Sequence, residues 1–315
     1  MAHHPLPDSA CVVACVPTCN GAAFIAKTLE ALVAQDYQHL RILVSDDASD
    51  DGTAMVCERI AAQSPRITLL RQPRRRGWVG NVNALLSAAR PGAELLVIVP
   101  HDDLVAPQYV TRMVAALRAA PEAVLAFADT LHTFPDRVPA RPPELAAYAR
   151  LDGAEGRLER GRRAAEYQLD LARGRYPHLL TVAFRGVFRA EALDRFGGLQ
   201  LNPAGEFGSD WAWLLQMTLC GSFARVPEPL VEKRRFSSSL SQTWRYSLAD
   251  RIGECAGCLV AIRRAGLPLG EELRLQVHLL AASAKATLMT AGWRRPIRSA
   301  GSAARPDAPA SQPIL

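Results

Sequence analysis

Lysine is almost missing from this 315-residue sequence: of 37 basic residues only Lys27, Lys233 and Lys285 are lysine, and the rest are arginine. A bias of that kind follows from GC-rich coding and says little about function. The charge of +6 at pH 7 still suits an anionic partner, such as a nucleoside diphosphate or an anionic membrane surface. No block of arginines is interleaved with aromatics, which are only 6% of the chain, so nucleic acid is not the expected partner. No apolar run reaches the roughly 18 residues that a membrane span needs. The start, MAHHPLPDSA, has no positive region followed by an apolar stretch. The expectation is a soluble cytoplasmic protein, with contact at the inner face of the membrane left open.

Other absences narrow the chemistry. No GxGxxG follows the first apolar run, which counts against a dinucleotide-binding dehydrogenase. No Gly-rich basic loop stands there either, which leaves a nucleotidyltransferase as a weaker alternative. The seven cysteines (11, 15, 19, 57, 220, 255 and 258) are odd in number and without a secretory signal, so free thiols are expected. Cys255-Ala-Gly-Cys258 has redox or zinc spacing, yet it falls in a helix and has no second pair to close a tetrahedral site. No internal repeat is visible.

The first 130 residues alternate strand and helix signals, the pattern of a parallel sheet covered on both faces. Cys11–Val16 is a continuous apolar run, as a central parallel strand requires, and PTCNG breaks it. Phe24, Ile25, Leu29, Leu32 and Val33 recur at helical spacing. RILVS is a second strand ending in Asp46-Asp47, followed by a Ser/Asp-rich turn suited to capping a helix. Ile67–Leu70, then ELLVIV before Pro100-His101-Asp102-Asp103, and Ala123–Ala128 complete the predicted strands, with helices from Val79 and from Pro107 between them. Residues 131–157 read as a loop, 158–173 as a helix, Leu179–Phe188 as a strand and 210–220 as a Trp- and Leu-rich helix. Segment 226–236 is extended. Helices at about 246–265 and 270–291 form a C-terminal portion, and the Pro/Ala/Ser/Arg-rich tail from Arg294 is expected to be disordered.

In an open parallel sheet, ligands bind beyond the carboxyl ends of the strands. Pro17–Gly21, Asp46-Asp47 and His101-Asp102-Asp103 each follow a strand and should project from one edge. Each has a bland reading: Asp46 and Ser49 as helix caps, Asp102-Asp103 as a turn before Pro107. Three polar clusters on one edge favour a site. A carboxylate suits the imide N–H of a pyrimidine base. Two adjacent carboxylates can divide ribose hydroxyls and a hard divalent cation, Mg²⁺ or Mn²⁺, between them.

PTCNG, LVSDDASDDGT, RRGWVGNVNALLSAA and VPHDDLVAP, in this order and spacing, resemble the donor-binding half of the family 2 glycosyltransferases with the GT-A fold. The resemblance covers about residues 11–130. It implies an α/β fold with a mostly parallel nucleotide-binding sheet flanked by helices and a C-terminal helical extension. It implies that Asp47 contacts the base and that Pro17, Thr18 and Asn20 border the nucleotide. Asp102 and Asp103 would form the acidic donor motif, with Asp103 the metal ligand and Asp102 on the nucleotide. Gly77 and Asn83 match the family's glycine and asparagine near the nucleotide. Arg71–Arg76 would add positive charge, or form a solvated loop.

The second half is similar to the family's acceptor half more loosely. The general base is expected at Asp210 in GEFGSDWAW, with Glu206 as the alternative base and helix capping as the competing reading. A carboxylate at a helix N-terminus tends toward a lowered pKa. One base suffices for direct displacement with inversion. The implied organisation is an N-terminal tail (1–10), a catalytic domain (11–240, its acceptor half 131–240), a helical region (241–293) and a tail (294–315). The implied function moves a sugar from a UDP- or dTDP-sugar to a saccharide or lipid-linked acceptor in polysaccharide or glycolipid synthesis. A catalytically inactive nucleotide-sugar binding module is the alternative.

The histidine that often follows a Tyr-Arg pair in this family is absent from Lys233-Arg234-Arg235-Phe236-Ser237. Arg234 or Arg235 would then meet the diphosphate directly. His101 reads as a turn residue, with ligand and ribose contact left open. Trp211, Trp213 and Trp244 read as core before sugar-stacking platforms. For the last helix, packing, a homodimer contact and a membrane-surface contact stay open, in that order.

Overall fold

A computed structural model describes residues 3–138, 140, 142–146, 156–173, 182–237 and 247–291. One mixed sheet organises them, with strand order β3-β2-β1-β4-β8-β6-β9-β5 and β7 paired to β6. Its first part is parallel: β1 (Val12–Thr18) lies between β2 (Leu40–Asp46) and β4 (Leu95–Ile98), and β3 (Ile67–Arg71) flanks β2. Helices α1 (Ile25–Val33), α2 (Thr53–Ala61) and α3 (Gly77–Ala89) connect these strands. β1 is buried along its whole length, as the unbroken apolar run requires of a strand covered on both faces.

Beyond β4 the pairing changes. β5 (Asp103–Val105), α4 (Tyr109–Ala119), β6 (Ala123–Thr133) and β7 (Glu144–Ala146) follow, with α5 (Arg157–Ala165) and α6 (Tyr167–Ala172) after them. β8 (Val187–Arg189), α7 (Ala192–Phe196), α8 (Ser209–Cys220), β9 (Ser222–Arg234), α9 (Leu248–Arg264) and α10 (Leu269–Ala291) complete the order. β8 runs antiparallel between β4 and β6, and β9 runs parallel to β6 and antiparallel to β5.

Several local expectations change. The predicted fifth strand runs on to Thr133, and three residues of the predicted loop pair with it as β7. The single helix expected over 158–173 is two, divided at Glu166. In the strand expected over 179–188, only Val187–Arg189 is strand, because residues 182–186 turn first; 179–181 fall outside the described residues, as do Trp244 and the tail from Arg294.

Two apolar layers sandwich the sheet. α1, α2 and α4 pack on one face through Ile25, Leu29, Cys57, Ile60 and Met113. α3, α8 and α9 pack on the other through Val82, Leu85, Trp211, Trp213 and Ile262. α8 is buried all around, with Asp210 at its start partly buried. Trp211 and Trp213 are fully enclosed, with the Trp211 indole donating to the Ala164 carbonyl at 2.9 Å. They are core, not sugar platforms. Cys255 and Cys258 are buried free thiols.

Candidate functional site

Parallel pairing brings the polar ends of β1, β2 and β4 to one edge, Pro17 beside Ser45 and Thr18 beside Asp46. The loops that follow are laced together. Asn20 N–H donates to Ser49 Oγ at 2.9 Å, Gly21 N–H to Thr53 Oγ1 at 2.8 Å and Ala22 N–H to Asp51 Oδ2 at 3.0 Å. Asn20 holds a left-handed φ of 49° and stays exposed, while Thr18 is buried with its hydroxyl oxygen unpartnered.

Asp47 faces the start of α3. Its Oδ1 accepts the Arg76 N–H at 2.7 Å and its Oδ2 the Gly77 N–H at 3.0 Å. Glu206 Oε1 accepts the Val79 N–H at 2.9 Å. Two carboxylates from distant segments thus occupy the orphan donors and positive end of one helix. Gly77 sits at φ 75°, and a Cβ there would lie 2.5 Å from Glu206 Oε1, so only glycine permits this closure. Glu206, the alternative base in the sequence, is engaged as a helix cap. Each Asp47 oxygen keeps one lone pair for a further donor.

Asparagine 83 has a different task from bordering a nucleotide. Its amide closes a two-way bond with Leu199, donating to the carbonyl at 2.8 Å and accepting from the N–H at 2.8 Å, and so ties α3 to the segment before α8. The asparagine at the strand ends is Asn81, which is buried and donates to the Ser45 carbonyl at 3.0 Å and the Thr18 carbonyl at 3.4 Å. Its position in the helical stretch gave the sequence no reason to single it out.

The acidic pair divides by burial. Asp102 is partly exposed, and its backbone carbonyl accepts from Arg234 Nε at 2.7 Å. Arg234 is therefore a brace for this turn rather than a free diphosphate contact. Asp103 is 1% exposed, and its Oδ2 is ion-paired with Arg185 Nε, while Oδ1 has no hydrogen-bond partner. Lys233 stands opposite Asp103 in the β5–β9 ladder. Burial pushes the Asp103 carboxyl up, with Arg185 working against that shift; burial and neighbouring Arg185 push the half-buried Lys233 down to about 7. His101 packs its ring over Phe24, and its carbonyl accepts from Thr28 at 2.7 Å, which fits a turn residue.

Asp210 opens α8 after Gly208, whose φ is 70° and whose missing Cβ would overlap Glu254. Burial raises the Asp210 carboxyl, and the Trp211 N–H bond, Lys233 and Arg185 oppose that rise. The direction is opposite to the helix-end expectation, because desolvation outweighs the helix dipole here. The charges of Arg185 and Lys233 oppose the upward shift of Asp103 and of Asp210 alike.

Among the described residues no group of three or more His, Cys, Asp or Glu is assembled for a metal. The donor set still fits a hard divalent cation in reduced form: Asp102 at the surface and the unpartnered Oδ1 of buried Asp103. Such an ion would need further oxygen ligands from outside the protein.

The family model described as Glycosyl transferase family 2 matches residues 13–175. A Campylobacter jejuni GalNAc(5)-diNAcBac-PP-undecaprenol beta-1,3-glucosyltransferase is 34% identical over 89 residues, 28% of each chain. The chain spans about a third or less of the curated relatives it matches. S. aureus TarS (residues 1–349), solved with UDP-GlcNAc, superposes with a TM-score of 0.65 at 14% identity, covering 91% of this chain and 76% of that one. A Pyrobaculum calidifontis mannosyltransferase solved with GDP-Man and Mn²⁺ gives 0.52 at 22% identity, covering 95% and 79%. At these identities the structures speak to the fold alone. No helix among the described residues is long and apolar enough to cross a membrane.

Proposed function

The chain belongs to glycosyl transferase family 2, with the GT-A fold of its structural neighbours, and from that membership we propose that it transfers a sugar from a nucleotide-sugar donor to a hydroxyl acceptor with inversion. The observation that carries the reading is the buried Asp103 carboxylate at the strand edge, ion-paired with Arg185, opposite Lys233 in the β5–β9 ladder and with Oδ1 unpartnered.

In this reading Pro17, Thr18, Asn20 and Asp47 line the nucleotide, and Gly77 lets the start of α3 approach it. Asp102 takes the ribose side, and with Asp103 Oδ1 it would hold a Mg²⁺ or Mn²⁺, which would supply Lewis-acid neutralisation of the departing diphosphate. Lys233 adds positive charge beside the acidic pair. The Asp210 carboxylate takes the acceptor hydroxyl proton as that oxygen attacks the anomeric carbon. The carbon–oxygen bond to the diphosphate breaks on the opposite side, so one base suffices.

UDP- and dTDP-sugars are the proposed donors, since Asp47 retains acceptor capacity for an imide N–H. The S. aureus neighbour binds UDP-GlcNAc and the archaeal one binds GDP-Man, so a guanine donor is the competing outcome. A saccharide or lipid-linked acceptor, in polysaccharide or glycolipid synthesis, is supported by the Campylobacter relative. A thermal-shift screen of UDP-, dTDP- and GDP-sugars with Mn²⁺ tests the donor. Stabilisation by one UDP- or dTDP-sugar is expected, and stabilisation by none would remove the reading.

A further inference from the structure

The last helix turns apolar residues outward. Towards the body, α10 packs on α5, α6 and α9 through buried Leu275, Leu279, Ala282 and Ala286. Among its polar groups on that side, Glu271 accepts from Arg157 at 2.9 Å, and His278 Nε2 lies 3.2 Å from Glu166. The opposite face carries Leu269, Leu273, Val277, Leu280 and Leu288, which are 71%, 51%, 65%, 49% and 77% exposed. At 3.6 residues per turn these fall within about 100° of arc, a stripe roughly 29 Å long.

The fully exposed charges beside the stripe are basic: Arg274 and Lys285 border one side of it on α10, and Arg263 and Arg264 precede it at the end of α9, while the partly exposed Glu272 stands on the other side. Both acids of α10 lie elsewhere in role: Glu271 is paired, and Glu272 accepts from Gln276 at 2.9 Å. The sequence continues with Trp293, Arg294, Arg295 and Arg298, and has no acid before Asp307. An apolar stripe bordered on one side by Arg and Lys is the composition of a helix that lies in a bilayer interface, and its basic margin complements anionic headgroups.

We propose that this face of α10 rests on an anionic lipid surface. It is a property separate from the donor site, so its failure leaves the transferase reading untouched. The test is co-sedimentation of the full chain with phosphatidylcholine vesicles, with and without phosphatidylglycerol, over a salt series. Binding is expected only with phosphatidylglycerol, weakening as salt rises. Leu273→Ser/Leu280→Ser should weaken it by about tenfold or more at an unchanged melting temperature and unchanged UDP affinity. Arg274→Glu/Lys285→Glu should remove most of the salt-sensitive part. Absence of wild-type binding, or equal binding by the leucine variant, would overturn the proposal. A dimer in sedimentation equilibrium that the leucine variant dissolves, without vesicle binding, would assign the face to a second copy instead.

Discussion

Arg185 holds Asp103 across 82 residues of sequence: its Nε is ion-paired with Oδ2 of a carboxylate that is 1% exposed. The arginine is itself fixed, since its backbone carbonyl accepts from the buried Tyr109 hydroxyl. Removing one partner of such a pair strands the other charge in a low-dielectric place, which costs about 3–5 kcal/mol. Arg185→Met is therefore expected to lower stability by that amount, and Asp103→Asn by less because an amide still offers an acceptor. Urea melts of both variants and of the double variant give the coupling energy; an additive double variant would mean that the pair contributes nothing.

Asp102 is expected to behave differently from its neighbour. Its carboxylate is partly exposed, and Arg234 braces its backbone rather than its side chain. Asp102→Asn should leave melting within experimental error. It should cost about 1.5–3 kcal/mol of Mn²⁺-linked UDP affinity, the size of one charge-assisted contact. Calorimetry with and without Mn²⁺ measures this, and an unchanged metal dependence would exclude Asp102 from the cation.

The edge of the sheet was legible because local signals and topology agree there. An apolar run followed by a polar turn recurs at β1, β2 and β4, with acids after β2 and β4, and the parallel register then has one outcome. What could not be read was partnership across the chain. Nothing local says that Glu206 caps α3, whose Val79 lies 127 residues earlier in the sequence; the Val79 N–H that it meets is an orphan of any helix start. Asn83 carries the family pattern, yet its amide serves Leu199. Arg185 did leave a trace. An arginine inside the apolar stretch Val182–Phe188 must be buried with a partner, but only the fold shows that the partner is Asp103. The pKa direction of Asp210 was missed for the same reason: a helix start predicts a lowered value, and only the packed surroundings of α8 reverse it.

Glu206 gives a clean separation of base from cap. Glu206→Ala deletes the acceptor for the Val79 N–H and should cost about 1 kcal/mol, the usual loss for a helix cap. Transfer measured on the folded variant should stay within a few-fold of wild type. A collapse in kcat at full donor occupancy would return the base to Glu206 and displace Asp210.

Asp210 makes the opposite forecast on both axes. Its carboxyl is raised by burial, so the native state holds this proton more tightly than the unfolded chain does. The stability linked to the group is thus present in full below the ordinary carboxylate pKa and is lost as pH rises through the raised native value. Asp210→Asn removes that titration, and the variant should melt higher than wild type by a margin that grows across this pH window. The same carboxylate must be ionised to accept a proton, so the acid limb of kcat/KM should fall above the ordinary carboxylate range and vanish from the residual activity of the variant. Transfer should drop roughly 10²–10⁴-fold, the contribution of a positioned base, with UDP affinity retained. Melts and pH–rate profiles of the two proteins test both halves together: a variant that melts lower while keeping its turnover would make Asp210 a structural cap and no more.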